Sequence, residues 1–249
     1  MHSLYFIEIT LAMESKNFNR FIENRLGSSL YDNHRATDSD IYVDDTYVDD
    51  GIGVEWHDKK KKKVKIIVNP SMLLGHSSSE KLWNPTEKSV SKFCKKLDDF
   101  IDNYFNYEHG LNDFKLSGIG FVMDVQLSDS DTVNNYMRVF HNIGRVKNFT
   151  QAHLSKGRSE LDKKYAFTLA GKSNGVGFMV YGYKTKFNRF DNNPIRDSLR
   201  LEQHKNALRF EVKLTSQRAI NLCTTSTIFC SRTHCPLFNL EICIFFANF

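Results

Sequence analysis

The sequence contains no apolar run long enough to cross a membrane. Such a span needs roughly 20 consecutive apolar residues, and no stretch of the 249-residue chain approaches that length. The first apolar run, Leu4 to Ala12, is interrupted by Glu8 and follows no basic segment, so it is not typical of an export signal. We therefore expect a soluble cytoplasmic protein with no membrane partner.

Cysteine is scarce, and its spacing suits neither a disulfide framework nor a zinc site. The five cysteines are an odd number in a chain without an export signal, which favours reduced thiols. The paired C-x-x-C spacing of structural zinc sites is absent. Four of the five lie in residues 221–249, where only Arg232 and Glu241 are charged. We interpret this segment as a divergent or out-of-frame tail.

Positive charge is concentrated in the second half of the chain. The formal net charge is only +5, but residues 147–218 hold fifteen Lys or Arg against six Asp or Glu. Such a segment would attract a polyanion. The alternative is a solvated, lysine-rich surface with no ligand.

Two stretches within this basic segment alternate in polarity, as half-buried strands do. The first has an apolar side of Val176, Phe178 and Val180 and a second side of Met179, Tyr181 and Tyr183. The other has an apolar side of Leu208, Phe210, Val212 and Leu214 and a polar side of Arg209, Glu211 and Lys213. If the apolar sides share one core, the tyrosines, the carboxylate and the cations lie together on the open face of one sheet.

Two helices can be predicted with their N-terminal caps. The clearer one follows Thr86 and carries apolar residues at helical spacing as far as Phe105. The second is capped by Ser128 or Ser130. Both helices are amphipathic, so each is expected to pack one side on a core.

The remaining patterns complete the predicted fold. Residues 114–126 alternate as a strand, with Asp124 on the side opposite Met123 and Val125. Residues 28–53 are polar and acidic and predict a mobile loop or an outlying hairpin. We predict an α+β fold with a mostly antiparallel sheet and helices packed on one face. By composition the chain divides into an N-terminal strand-helix and acidic loop region (1–62), an α+β domain (63–220) and the tail (221–249).

The predicted polar face has the groups that phosphodiester cleavage through a tyrosine requires. These are a phenol, carboxylates for a divalent cation, and positive charge to hold the nucleic-acid backbone. Mg²⁺ and Mn²⁺ favour oxygen ligands, which Asp124 and Glu211 supply. The phenol is Tyr181 or Tyr183. The cations are Lys184, Lys186, Arg189, Arg209 and Lys213. A purely structural alternative is that strand propensity explains the tyrosines and cross-strand ion pairing explains Glu211.

Several of these strings resemble rolling-circle replication initiators of plasmids and filamentous-type phages. The most specific is Ala207-Leu208-Arg209-Phe210-Glu211-Val212-Lys213-Leu214, and the similarity extends over about residues 63–220. The other strings are the tyrosine-bearing strand with Lys184-Thr185-Lys186, Phe114-Lys115-Leu116 before Asp124, and Val68-Asn69-Pro70 before a long helix.

The resemblance implies a function for the predicted face. In that family a tyrosine nicks one strand of origin DNA and keeps the 5′ phosphate, which leaves a 3′ hydroxyl for the polymerase, and carboxylates hold the metal. Carried over, Tyr181 or Tyr183 is the nucleophile, and Asp124 and Glu211 are the ligands of Mg²⁺ or Mn²⁺. The implied partners are single-stranded or supercoiled origin DNA and a host helicase and polymerase.

The chain departs from the family pattern at three positions. Gly118 and Gly120 stand where relatives tend to carry an arginine and an acid, and Phe187 stands where they tend to carry an acid. Together with the tail, these departures favour an alternative, a DNA-binding protein derived from an initiator that no longer cuts. A globular protein with no nucleic-acid role is the third possibility.

Overall fold

The computed structural model describes residues 3–26, 41–44, 46–57, 62–76, 83, 85–143, 146–151, 166–171, 175–182 and 206–225. The described residues form two compact units. Unit 1 comprises those of residues 1–119 and 220–249, and unit 2 comprises those of residues 120–219. This boundary reflects packing, whereas the compositional division at residues 62 and 220 stays a prediction.

Helices and strands account for most of the described chain. Unit 1 contains β1 (Ser3–Ala12), α1 (Ser15–Leu26), β2 (Ile41–Asp44), β3 (Ile52–His57), β4 (Lys63–Val68), α2 (Pro70–Leu73) and α3 (Glu87–Tyr104). Strand β5 (Lys115–Gln126) begins in unit 1 and continues in unit 2. Unit 2 also contains α4 (Ser130–Asn142), β6 (Phe149–Gln151), β7 (Ala166–Gly171), β8 (Val176–Gly182) and β9 (Ala207–Leu214). Helix α5 (Gln217–Thr225) begins in unit 2 and continues in unit 1.

Unit 1 is a sheet with two helices on its apolar face. Its strand order is β2-β3-β4-β1-β5, and β2–β3, β3–β4 and β4–β1 are antiparallel pairs. The register aligns Ile9, Ile66 and Val54 across three strands, so their buried side chains share one face. Aromatic rings from α1 and α3 pack there, since Phe18 and Tyr104 lie 5.7 and 6.2 Å from Trp56 between ring centroids.

The sequence predictions for unit 1 are confirmed in the described residues. Helix α3 starts after Thr86, whose hydroxyl accepts the N–H of Ser89 while the Ser89 hydroxyl accepts the N–H of Thr86. Within the acidic segment, β2 and β3 form the outlying hairpin that was one of the two expectations. Its connection includes a 3-10 turn at Val48–Asp50.

Unit 2 is a second sheet segment with a helix on its apolar face. The strand order is β5-β9-β8-β7-β6, and β9–β8, β8–β7 and β7–β6 are antiparallel. The core consists of Val133 and Met137 on α4 with Phe167, Val180 and Leu208 on three strands. The predicted α+β fold with a mostly antiparallel sheet and helices on one face is therefore confirmed.

The N-terminal cap of α4 differs from the prediction by one residue. Asp129, rather than Ser128 or Ser130, caps the helix, and its Oδ1 accepts the N–H of Thr132 at 2.7 Å. The Ser128 hydroxyl donates to the Asp129 carboxylate at 2.7 Å. These hydrogen bonds lower the pKa of Asp129, and the bond from the Thr132 backbone has the largest effect. Aspartate and serine are both favoured N-caps, and the charge of the carboxylate also interacts favourably with the helix dipole.

No helix in the described part of the chain is long and apolar enough to span a bilayer.

Candidate functional site

The pairing of β8 with β9 places the predicted polar residues on one face of unit 2. Tyr181 lies opposite Arg209, Met179 opposite Glu211, and Gly177 opposite Lys213. The intervening pairs, such as Val180 with Phe210, are apolar and point towards α4. Because side chains alternate along a strand, the first set faces away from α4. The sequence prediction of a shared face for these residues is confirmed.

Tyr181 and Glu211 contact each other diagonally across the two strands. The Tyr181 hydroxyl donates a hydrogen bond to Oε1 of Glu211, one residue pair further along the face. Both side chains are buried, with 2% of each residue exposed. Burying a carboxylate without a hydrogen-bond donor would lower the free energy of unfolding by about 1–3 kcal/mol or more. The phenol therefore stabilises Glu211 in its buried position.

Arg209 and Asp124 form a bidentate ion pair. The arginine Nε lies 2.6 Å from Oδ1 of Asp124, and Nη2 lies 2.6 Å from Oδ2. Two parallel N–H···O bonds of this kind are the strongest arginine–carboxylate geometry. The Arg209 side chain is 8% exposed and that of Asp124 is 18% exposed. The pair thus lies at the edge of the buried region, with the carboxylate nearer to solvent.

The position of Asp124 follows from the antiparallel arrangement of β5 and β9. The Leu127 N–H donates to the carbonyl of Asn206 at 2.9 Å. Leu127 is three residues after Asp124, and Asn206 is three residues before Arg209, so the two strands run in opposite directions. We name Asp124, Tyr181, Arg209 and Glu211 the polar cluster.

The sequence predicts that this face is open to solvent, and that prediction is wrong for the residues of the polar cluster. Tyr181, Glu211 and Arg209 are buried, and their polar groups have partners within the polar cluster: Tyr181 bonds to Glu211, and Arg209 bonds to Asp124. Lys213 is on the same face and is partly buried. The remaining predicted site residues lie outside the described residues, namely Tyr183, Lys184, Lys186 and Arg189.

The polar cluster contains the type of ligand atom, carboxylate oxygen, that magnesium and manganese ions prefer. Protein sites for Mg²⁺ often use one or two carboxylates, with waters and substrate phosphates completing the shell. Asp124 and Glu211 supply two, although each already accepts hydrogen bonds from Arg209 or Tyr181. A carboxylate has about four lone-pair positions, so these bonds do not exhaust its capacity. Among the described residues there is no group of three or more His, Cys, Asp or Glu arranged for a metal.

One polar group on this face was missed from the sequence. Thr168 on β7 lies opposite Met179, which places it on the side of the polar cluster. Its hydroxyl oxygen is buried and has no hydrogen-bond partner within the described structure. The alternation of Thr168 with Phe167 and Leu169 is the signal that would have found it.

The structure gives a packing reason for the glycine at position 118. A Cβ at Gly118 would lie 3.0 Å from the Cβ of Glu8 and 3.1 Å from Cε1 of Phe6. These distances are tighter than ordinary contacts, so a larger residue there would require Glu8 and Phe6 to move by a few tenths of an ångström. The space next to Gly118 is filled by β1 side chains of unit 1.

Unit 1 carries a separate polar network. Lys65 lies 3.0 Å from Glu55 and 3.6 Å from Glu8, and Glu55 also contacts His57 at 2.9 Å. Burial alone would raise the pKa of Glu55, but hydrogen bonds from Lys65 and His57 outweigh it and lower the pKa. For Lys65 burial alone would lower the pKa, and the bond to Glu55 with the charge of Glu8 raises it. The network thus joins one lysine to two carboxylates and an imidazole, and its hydrogen bonds offset the burial of Lys65 and Glu55.

Comparisons with known proteins find similarity to solved structures but not to any family model or curated sequence. No family model and no curated protein matches the chain. One of the solved structures is that of a rolling circle replication initiator protein from Geobacillus stearothermophilus. The two share 8% sequence identity with a TM-score of 0.39, over 97% of this chain and 78% of the other.

Proposed function

We propose that the protein is a replication initiator that nicks origin DNA through a tyrosine, as in rolling-circle replication. The single observation that carries this proposal is the joining of a tyrosine, two carboxylates and an arginine in two contacting pairs on one sheet face. These are the groups that tyrosine-mediated cleavage of a phosphodiester uses. The resemblance of residues 207–214 to such initiators supports the same reading. An initiator would act in the cytoplasm on its own replicon.

In the proposed reaction the phenol oxygen of Tyr181 or Tyr183 forms a bond to phosphorus. The bond from phosphorus to the 3′ oxygen breaks, that oxygen takes a proton, and the 5′ phosphate remains on the tyrosine. Glu211 accepts the Tyr181 hydrogen bond and so can take that phenol's proton. Asp124 and Glu211 would hold Mg²⁺ or Mn²⁺, and such an ion would polarise the phosphate.

The DNA backbone would be held by cations around this face. Arg209 and Lys213 lie on it, and Lys184, Lys186 and Arg189 follow β8 in the sequence. Each lysine or arginine that meets a phosphate releases a counterion, so binding should weaken steeply with salt. We propose single-stranded or supercoiled origin DNA as the substrate, with a host helicase and polymerase acting on the product.

A second candidate is a DNA-binding protein that does not cut. It is favoured by the burial of Tyr181, since a phenol that is 2% exposed must be uncovered before it can reach phosphorus. The engagement of both Asp124 oxygens by Arg209 points the same way. Gly118, Gly120 and Phe187, where relatives tend to have polar groups, also agree with it.

Covalent capture of DNA separates the two candidates. The full-length protein is incubated with single-stranded and supercoiled DNA of its replicon, with Mn²⁺ or with EDTA, and denatured before electrophoresis. A protein–DNA adduct that EDTA abolishes supports nicking. Salt-sensitive DNA retention without an adduct supports the binding-only candidate, and neither signal rejects both.

Tyrosine-to-phenylalanine variants identify the acting residue in the same assay. The double variant Y181F/Y183F should form no adduct, and the single variants show which phenol is used. The matched control is Tyr136→Phe, because Tyr136 lies on α4 and is half exposed, on a side away from the polar cluster. Adduct formation by the double variant would reject the tyrosine assignment.

A further inference from the structure

Thr168 carries a hydroxyl without a partner on the face of the polar cluster. Its Oγ1 is buried and accepts or donates no hydrogen bond within the described residues. A buried hydroxyl without a partner lowers the stability of a folded protein, and native proteins pair the large majority of such groups. Valine has nearly the same shape, favours strands equally and has no hydroxyl. The hydroxyl therefore does not serve the stability of the DNA-free protein.

The register of three strands places Thr168 next to the proposed nucleophile. Thr168 on β7 pairs with Met179 on β8, and Met179 pairs with Glu211 on β9, so the three form one row across the sheet. Tyr181 lies two residues further along β8 on the same face, which makes Thr168 and Glu211 its diagonal neighbours on the two adjacent strands. Diagonal neighbours in a sheet are about 7–8 Å apart. The Tyr181 phenol donates to Glu211 on one side, and the hydroxyl of Thr168 lies on the other.

A phosphate that reaches this face would come within range of Thr168. Reaction at Tyr181 requires its buried phenol to be uncovered. The same opening would uncover the hydroxyl of Thr168, a residue that is already partly exposed. Threonine hydroxyls are common hydrogen-bond donors to DNA phosphates.

We infer that the Thr168 hydroxyl is a contact to the DNA backbone, donating a hydrogen bond to the phosphate that lies next to Tyr181. This inference rests on the proposed function and adds a positioning residue to it. In the DNA-free protein the hydroxyl has no partner within the described structure, and in the complex it gains one. Because only the complex satisfies the hydroxyl, the contact favours the DNA-bound state over the free one.

Two matched pairs of proteins isolate the hydroxyl in a DNA-binding assay. Wild type and Thr168→Val differ by a hydroxyl against a methyl group, and Thr168→Ser and Thr168→Ala differ by the hydroxyl alone. Affinity is measured by fluorescence anisotropy with a single-stranded oligonucleotide of the replicon, in EDTA so that the DNA is not cut. T168V should bind about 2- to 10-fold more weakly than the wild type, and T168A more weakly than T168S by the same factor, which is the value of one neutral hydrogen bond. If T168V does not fold by circular dichroism, the serine and alanine variants decide the matter.

Thr10→Val is the control with the same chemical change. The Thr10 hydroxyl lies 2.7 Å from the Ser117 hydroxyl in unit 1, so it already has a partner. T10V should bind the oligonucleotide as tightly as the wild type.

Urea denaturation of the DNA-free proteins separates a DNA contact from a role in folding. The midpoint of T168V should be higher than that of the wild type by about 0.5 M or more, because a methyl group replaces a buried hydroxyl without a partner. The midpoint of T10V should be lower, since its hydroxyl is paired. A lower midpoint for T168V would show that its hydroxyl is used within the protein and would overturn the inference.

The salt dependence of DNA binding identifies the type of contact. The slope of log affinity against log salt should be the same for the wild type and T168V, because a neutral hydroxyl releases no counterion. A smaller slope for T168V would mean that the substitution acts through a lysine or arginine, which contradicts a direct contact. Equal DNA affinity within each matched pair overturns the inference and leaves the proposed function standing. No DNA binding by the wild type rejects the proposed function, and this inference with it.

Discussion

Replacing Tyr181 by phenylalanine removes one hydroxyl from the polar cluster and leaves the ring in place. That hydroxyl is the donor to Oε1 of Glu211, and both residues are 2% exposed. The ring keeps its contacts, so the change in stability reports the hydrogen bond and the state of the carboxylate that loses it. This variant therefore measures how far Glu211 depends on Tyr181.

The expected loss can be estimated from the contact. A hydrogen bond to a charged group contributes about 1.5–3 kcal/mol to the free energy of unfolding. Glu211 is buried, so water does not readily replace the lost donor. We expect Y181F to lower the free energy of unfolding by about 1.5–3 kcal/mol.

Urea denaturation followed by fluorescence or circular dichroism gives this value. With a urea slope of about 2 kcal/mol per molar, the midpoint should fall by about 1 M or somewhat more. The control is Tyr136→Phe, where the half-exposed residue on α4 should give a change close to zero. A midpoint for Y181F equal to that of Y136F would refute the claim that the phenol supports a buried Glu211.

Two further predictions concern unit 1. The Tyr104 hydroxyl accepts a hydrogen bond from Trp56 Nε1 at 3.1 Å and donates one to buried Asp44 at 2.9 Å. Tyr104→Phe should therefore lower the free energy of unfolding, measured by urea denaturation, by about 2–4 kcal/mol. An unchanged free energy of unfolding would contradict this bridging role. The pKa of Glu55 is lowered from 4.5, so its contribution is present above that value and is lost as pH falls through the lower folded pKa. The urea midpoints of the wild type and Glu55→Gln should converge as the pH is lowered through this window. A difference between the two midpoints that does not change with pH would contradict a stabilising role for ionised Glu55. The pKa of Lys65 is raised from 10.5, so its contribution is lost only as pH rises above that value.

The shared face of unit 2 could be predicted because its signal is local. Alternation in residues 176–182 and 207–214 determines which side chains share a side, whatever packs against them. That Tyr181, Arg209 and Glu211 share a face then needs only that the apolar sides meet on one core. The register that places Tyr181 opposite Arg209 does not follow from alternation, because a shift of two residues would keep the same faces.

The contacts within that face could not be predicted, because they depend on neighbours that are distant in sequence. Alternation places Asp124 and Arg209 on polar sides but does not state that β5 pairs with β9 in the register that joins them. It is equally silent on burial, which is why Tyr181 was expected on an open face. The tight packing of Gly118 against Phe6 and Glu8 likewise arises from a neighbouring strand that the sequence pattern does not identify.

Strands within polar sequence were harder still to recognise. Strand β2 has only four residues and lies in an acidic segment, where a mobile loop was one of two expectations. Its last residue, Asp44, is buried because Tyr104 of α3 donates to it. A buried aspartate is indistinguishable in sequence from a solvated one, since one of its partners, the N–H of Thr46, is local, but another, the hydroxyl of Tyr104, is sixty residues away.

The most direct test of the proposed nicking activity is to map the residue that carries DNA after the reaction. The full-length protein is incubated with origin DNA and Mn²⁺, the DNA is digested to a single nucleotide, and tryptic peptides are examined by mass spectrometry. The account predicts a nucleotide on Tyr181 or Tyr183 that is absent when EDTA replaces Mn²⁺. A nucleotide on another residue, or none in a protein that still retains DNA, would contradict tyrosine-mediated nicking by this face.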